Sequence, residues 1–387
     1  MSAQSADVVI IGGGLMGAAT AFFLRRRGVS VIVLERGLVG QQASGTNFGN
    51  VRRQARFLPQ LPLANRAHAV WCKLPELIGD DVEFLPSGHI RIAYTDEQVG
   101  VLEKYARDAR EYGLDLEMYG GEAMRARYPF LGREVRAASL APADGHANPR
   151  LAAPAFARAA IRNGARVFEN TEVLAIVKDG VDFRVTCNDG REFRAPSALI
   201  ASGAWGDKMS AQFGEPVPMT PRGPQMAVTE PMPYRILPAV GVATKTLHEM
   251  LYFRQIKRGN IIFGGCGRGP AYPDLLRAYV LPEHTLTQFG QLARLAPAVA
   301  RLNIIRVWSG IEGYMADDLP VMGASAKVSG LHYAFGFSGH GFQLGPGVGE
   351  VMAELISTGA TSTPIDPFHI RRFDTVEAQP AILAAPI

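Results

Sequence analysis

Three cysteines among 387 residues, Cys72, Cys187 and Cys266, are too few and too scattered for a disulfide framework. Their spacing makes no metal or redox motif, so no metal site is expected. They read as small, reduced, apolar residues and point to the cytoplasm. Net charge is small as well: 40 basic against 36 acidic residues leave +4, which gives no reason to propose a nucleic-acid partner. Low-complexity tracts are missing, and 47% hydrophobic content allows a full core. The uncharged run from Val8 to Leu24 is seventeen residues long, but four of them are glycine. It also follows Asp7 and lacks a basic lead-in, so it is read neither as a membrane span nor as a signal peptide. The length suits two domains, or one large domain carrying an inserted one.

What is present begins at that same run. Val8-Val9-Ile10-Ile11 is a β-branched stretch suited to a buried parallel strand. Gly12-x-Gly14-x-x-Gly17 follows, then an alanine- and leucine-rich helical stretch ending at Arg27-Gly28, then a second apolar run from Val29 to Leu34 and Glu35. This is one strand–helix–strand unit of the size that binds a dinucleotide. Gly12 allows the sharp turn, Gly14 lets the backbone approach a pyrophosphate, and Gly17 lets helix and sheet pack closely. The free N–H groups at the helix start, Leu15 and Met16 among them, favour the phosphates. Glu35, with Arg36 beside it, ends the second strand where a carboxylate can accept both ribose hydroxyls.

The chain beyond is mixed. Gln41 to Arg56 is polar and small-residue rich. Its Ser44, Gly45, Asn47 and Gly49 offer N–H groups and short side chains to another part of the cofactor, and Arg52, Arg53 and Arg56 follow directly. Leu58 to Ile78 reads as a proline-broken helix, and Phe84 to Tyr94 as a strand pair turning at Ser87-Gly88. Asp96 to Tyr112 reads as an amphipathic helix, and Leu151 to Asn163 as another. Strands are expected at Val167–Asn170, Glu172–Leu174, Phe183–Cys187, Glu192–Arg194 and Ala198–Ala201. Seven prolines between Pro216 and Pro238 argue against regular helix there. Met250–Phe253 and Asn260–Gly264 read as adjacent strands, with Tyr252 and Arg254 on one face. Arg306 to Tyr314 is strand-like, interrupted by Gly310 and Gly313. From Leu331 to Ile356 a strand runs into a glycine-dense loop and then an apolar helix starting at Val348. So many glycines imply close approach to a flat or phosphate-bearing ligand.

Together these stretches resemble the D-amino-acid oxidase-like family of FAD oxidoreductases. The resemblance rests on the N-terminal fingerprint, Ser44-Gly45-Thr46-Asn47, Ser202-Gly203-Ala204-Trp205, Asp318-Leu319-Pro320-Val321-Met322-Gly323 and Gly339-His340-Gly341. It implies an α/β fold with a discontinuous Rossmann-type FAD domain (1–80, 146–215 and 317–387) and a mixed-sheet α+β substrate domain (81–145 and 216–316). It implies FAD held without a covalent bond. Gly12, Gly14 and Gly17 would surround the pyrophosphate, Glu35 the ribose, Val173 the adenine, and Gly203 and Trp205 the dinucleotide. Gly341, Phe342, Gln343 and Leu344 would present N–H groups to the flavin ring edge, with Gly310 nearby.

One departure matters. Many relatives carry an arginine that clamps the substrate carboxylate just before the Asp-x-x-Pro segment; here the stretch is Gly310-Ile311-Glu312-Gly313-Tyr314. That pattern is closer to flavin subunits of opine, D-hydroxyproline and cyanide-forming glycine dehydrogenases. It implies partner subunits, an iron–sulfur carrier among them, and leaves a carboxylate to Arg52 or Arg254. The residues assigned to the reaction zone are Arg52, Tyr252, Arg254, Glu312 and His340. The implied activity is dehydrogenation of a C–N bond in an amino acid or secondary amine, with hydride passing from the α-carbon to flavin N5 and hydrolysis of the imine. A D-amino acid dehydrogenase or oxidase acting alone, and a non-catalytic dinucleotide-binding subunit, stand as the alternatives.

Overall fold

The computed structural model describes residues 4–374. A six-stranded sheet holds the N-terminal unit at its centre. Its order is Val321–Ala324, Leu331–Phe335, Ser197–Ile200, Val8–Ile11, Val31–Leu34 and Arg166–Phe168. All pairs are parallel except the first. The pleat divides each strand between two cores. Val8, Ile10, Val31 and Val33 pack beneath the helices Leu15–Arg26, Pro149–Arg162 and Gly341–Thr358. Val9, Ile11, Ile32 and Leu34 face Phe183, Val185 and Phe193 on the other side. Those phenylalanines belong to a four-stranded sheet built from Gln4–Ser5, Glu192–Ala195, Asp182–Cys187 and Val173–Asp179. Burial on both faces is why Val8–Ile11 and Val31–Leu34 are apolar at every position.

A nine-stranded mixed sheet draws its strands from residues 89–141 and 219–315. Its core gathers Ile90, Ile92, Phe253, Ile261 and Phe263 under the helix Pro282–Leu295. It also reaches the first unit: Trp308 Nε1 donates to the Thr46 carbonyl at 2.8 Å.

Two segments depart from the sequence-based expectation, and a third, where the prolines argue against helix, proves to be a long strand. Only His89–Ala93 forms a strand in the 84–94 stretch. Leu85 instead exchanges backbone bonds with His146, and Gly88 N–H donates to the Asp144 carbonyl. The proline-rich segment holds a thirteen-residue strand, Met219–Pro231. Its ladder with Asn260–Gly269 shifts register between Pro224 and Met226, a place where a residue without an N–H is tolerated. The C-terminal helix begins at Gly341, seven residues earlier than expected. Gly345, Gly347 and Gly349 are helical, and they serve helix packing rather than ligand approach. A Cβ on Gly347 would meet the Ala67 Cβ at 2.7 Å, and one on Gly349 would meet the Ala19 carbonyl carbon at 2.7 Å.

Candidate active site

A cavity of about 700 Å3 runs from the carboxyl ends of the parallel strands to the face of the nine-stranded sheet. At its first end Gly12 turns the chain with φ +108°, and an added Cβ there would sit 2.5 Å from the Ala201 carbonyl oxygen. Gly17 is packed against Gly12 and does not line the cavity. Gly14, Leu15 and Met16 do line it, and the Leu15 N–H donates to Ser44 Oγ at 2.9 Å. Glu35 accepts from Gly13 N–H at 2.7 Å and from Gly37 N–H at 2.8 Å. The first bond braces the glycine turn and the second the bend just after Glu35, and a carboxylate still has lone pairs free for a ribose.

Arg36 lies over the Trp205 ring at 4.4 Å, and Gly203 borders open space, since an added Cβ meets nothing within 4 Å. Val173 stands where its strand slips register before Ala175, which frees backbone groups toward the cavity. Gly341, Phe342 and Gln343 line the far side as the first turn of a helix that has no side-chain cap. Leu344 is fully buried in the core behind them.

The loop at residues 43–49 forms one helical turn, Ala43–Thr46. The Asn47 side chain is spent on that loop: it donates to the carbonyls of Ala43 and Ser44, and its Oδ1 accepts from Gly49 N–H at 2.7 Å. Gly45 packs on Gly40, and Gly310 packs on Thr46, so neither faces the cavity. Gly49 does line it.

At the second end the cavity meets Arg52, Arg56, His89, Arg91, Tyr252, Arg268, Glu312, Tyr314 and His340. Glu312 Oε1 accepts from Gly339 N–H at 2.8 Å, and Oε2 accepts from Tyr314 Oη at 3.0 Å. Burial raises its pKa above the usual carboxylate value, against those two bonds. Burial, with Arg52 next, holds His340 well below the usual histidine range, so its ring is neutral. Its Nδ1 has no partner among the described residues. Burial, reinforced by Arg52, brings Arg56 down to about 9, still protonated near neutrality.

Arg254 is a correction. It does not line the cavity; its Nε donates to the Phe48 carbonyl at 2.8 Å and its Nη1 meets His146 Nδ1 at 2.9 Å. The Phe48 ring lies 4.7 Å from the Tyr252 ring and 5.4 Å from the Arg254 guanidinium. Arg254 therefore holds the 47–49 loop from behind. Arg91 was missed, although the alternation His89-Ile90-Arg91-Ile92 placed two polar residues on one strand face.

These residues fit FAD. Glycine backbones approach where a Cβ would clash, two helix N-termini open on one cavity, and the buried Ser202 Oγ and Asn50 Oδ1 on its wall have no partner among the described residues. Fold and site define a flavin-dependent oxidoreductase. Residues 7–355 match the family described as DAO, FAD dependent oxidoreductase, and the chain belongs to it. It is 29% identical to glycine oxidase of Geobacillus kaustophilus (strain HTA426), over 95% of this chain and 97% of that protein. It is 26% identical to sarcosine oxidase subunit beta of Arthrobacter sp, over 96% of this chain and 92% of that one. The crystal structure of L-proline dehydrogenase from P. horikoshii matches with a TM-score of 0.89 at 29% identity, covering 96% of this chain and 99% of that one.

Proposed function

We propose that the chain dehydrogenates the C–N bond of a carboxylate-bearing amine, with Arg52 holding the carboxylate and Glu312 facing the amine. It is an FAD-dependent amine or amino-acid oxidoreductase. The observation that carries the finer reading is that one cavity joins the dinucleotide trough to a guanidinium, Arg52, and a buried carboxylate, Glu312. Bound FAD supplies the two-electron acceptor that no side chain offers.

The chain's own residues orient and deprotonate. Arg52 Nη1 is anchored on the carbonyls of Gln54 and Ala55, which fixes the fork while Nε and Nη2 stay available for a carboxylate. An ammonium cannot release hydride from its α-carbon, so a proton must leave first. Glu312 takes it: its carboxylate becomes a carboxyl and the substrate nitrogen regains its lone pair. A pKa raised by burial brings Glu312 closer to the operating pH of such a transfer. Tyr252 and His340 wall the same space, and neutral His340 keeps a further positive charge away from the departing proton. None of the three cysteines lines the cavity, which supports non-covalent FAD.

The proposed division of labour keeps the FAD domain at 1–80, 146–215 and 317–387 and the substrate domain at 81–145 and 216–316. The resemblance of Gly310–Tyr314 and the likeness to a sarcosine oxidase subunit support work beside partner subunits, with an iron–sulfur carrier among them. The free cysteines suit a cytoplasmic setting. Among the described residues no helix is long and apolar enough to cross a membrane.

The test mixes FAD-loaded protein anaerobically with amino acids, N-methyl amino acids and the matching 2-hydroxy acids. Amines should bleach the visible flavin band and hydroxy acids should not; the reverse pattern overturns the reading. Arg52→Lys should lower kcat/KM on the best amine by about 10–100-fold, since a point charge does not replace a planar fork.

A further inference from the structure

The second end of the cavity carries more positive charge than one carboxylate answers. Arg52, Arg56, Arg91 and Arg268 reach it, against Glu312 alone from the same sheet and the segment leading to it. None of the four pairs with an aspartate or glutamate among the described residues. Asp144, the acid behind this segment, is engaged by the backbone N–H and Nε of Arg53 and by Gln54 N–H.

The four arginines are not equivalent. Arg56 is a brace: Nε, Nη1 and Nη2 donate to the Arg52 carbonyl, Gln60 Oε1 and the His340 carbonyl. Arg268 is exposed, with its guanidinium carbon 3.9 Å from the Tyr314 ring centroid. Arg52 and Arg91 differ from both. Among the described residues Arg52 donates only through Nη1, and Arg91 only through Nη2, to the Val242 carbonyl at 2.9 Å. Each keeps most of its five N–H donors free.

The two forks come from different elements. Arg52 follows the loop that borders the dinucleotide trough. Arg91 stands on His89–Ala93, where its register neighbours are Gly241 and Ser139. Neighbours that small leave room above the strand for a ligand. His89 shares that face, buried and held neutral well below the usual histidine range by burial first and Arg52 next; it adds no charge but offers a polar wall. Burial, with Arg52 as the next cause, also lowers Arg91 to about 10. An anion at Arg91 relieves that unfavourable arrangement.

We infer that the substrate is an amine carrying two carboxylates, one held by Arg52 beside the reacting carbon and the other by Arg91 at the far wall. The chemistry rests on the amine-oxidising reading above, but anion binding does not, and the two are tested apart.

FAD-loaded protein is titrated calorimetrically with glutarate and succinate, and with butyrate and propionate as one-carboxylate controls. None of these has an amine to oxidise. The dicarboxylates should bind about 30-fold or more tightly than the monocarboxylates, and Arg91→Gln should reduce that ratio to about threefold, with Arg91→Lys in between. Equal binding by wild type, or an undiminished preference in Arg91→Gln, overturns the inference. If Arg91→Gln does not fold, the wild-type ratio and Arg91→Lys decide. The second arm compares kcat/KM for iminodiacetate and sarcosine. Oxidation of amines without any gain from the second carboxylate removes this inference and leaves the amine reading intact. Selective dicarboxylate binding without oxidation of any amine overturns the amine reading, and with it the substrate inferred here, and leaves only the two-carboxylate binding site.

Discussion

Replacement of Glu35 separates retention of the cofactor from chemistry. In the structure its two oxygens accept the N–H groups of Gly13 and Gly37 at 2.7 and 2.8 Å, and Gly13 is packed so closely that an added Cβ would meet Glu35 Cβ at 2.9 Å. The carboxylate thus braces the glycine turn from below and keeps lone pairs for the ribose it is proposed to hold. A hydrogen bond to a charged group contributes about 1.5–3 kcal/mol when well buried; Glu35 is partly exposed, so roughly 1 kcal/mol per bond is the appropriate scale. Losing two such bonds costs about 2 kcal/mol, or roughly 30-fold in an equilibrium constant. Glu35→Ala should therefore raise the Kd for FAD by about 10–100-fold and lower the Tm of the apoprotein. Glu35→Gln should do nearly as much, because its amide NH2 would confront a backbone N–H, donor against donor. Fluorescence titration of apoprotein with FAD measures the first effect. At saturating FAD, kcat should stay within about twofold, since the ribose is remote from the reacting atoms. A Kd within about threefold of wild type for both variants would refute the assignment, as would normal FAD binding with a collapsed kcat.

Two further outcomes follow from packing and burial. His332 is pushed down to about 4 by burial, against an ordinary value of 6.5; between those values the unfolded chain binds the extra proton, so stability falls as pH drops from 6.5 towards 4. That one ring accounts for up to about 3 kcal/mol, and Tm measured against pH should show a shallower acid limb in His332→Phe; an unchanged slope would count against it. Gly349→Ala should destabilise despite a helix-propensity gain of about 1 kcal/mol, because the new methyl meets Ala19 backbone at 2.7 Å. Gly100→Ala, in the exposed helix Asp96–Ala109 with nothing within 4 Å, should stabilise by about that same 1 kcal/mol, and thermal melts of the pair test the contrast.

The residues that sequence placed well are those whose reason is local. The strand, turn and helix around Gly12, Gly14 and Gly17 and the strand end before Glu35 are legible because they lie within thirty residues of chain, so spacing carries the local geometry. The helix Asp96–Ala109 is legible because its apolar stripe and its Thr95 cap are both local features. What was misplaced or left unread depends on partners far away. Gly345, Pro346 and Gly347 look like loop until Leu15 and Ala67 are brought against them, and then the missing side chains are what allow two helices to touch. The prolines of Met219–Pro231 look like breakers until the bulge opposite Arg268 and Gly264 supplies a place without a required N–H.

The arginines show the limit most clearly. Alternation assigns residues to a common face, as it does for Tyr252 with Arg254 and for His89 with Arg91, but what stands in front of that face is set by other elements. Before Arg254 the Phe48 loop descends, its carbonyl accepting the Arg254 Nε–H and its ring lying between Arg254 and the open space. In front of Arg91 nothing intervenes, because Gly241 and Ser139 flank it and the cavity reaches the strand. The same period-two pattern thus gives a structural brace in one strand and a free cation in the other. Buried charge makes the difference visible: Arg254 spends its donors on Phe48 and His146, whereas among the described residues Arg52 donates only through Nη1 and Arg91 only through Nη2, which leaves the remaining donors for the anions proposed above.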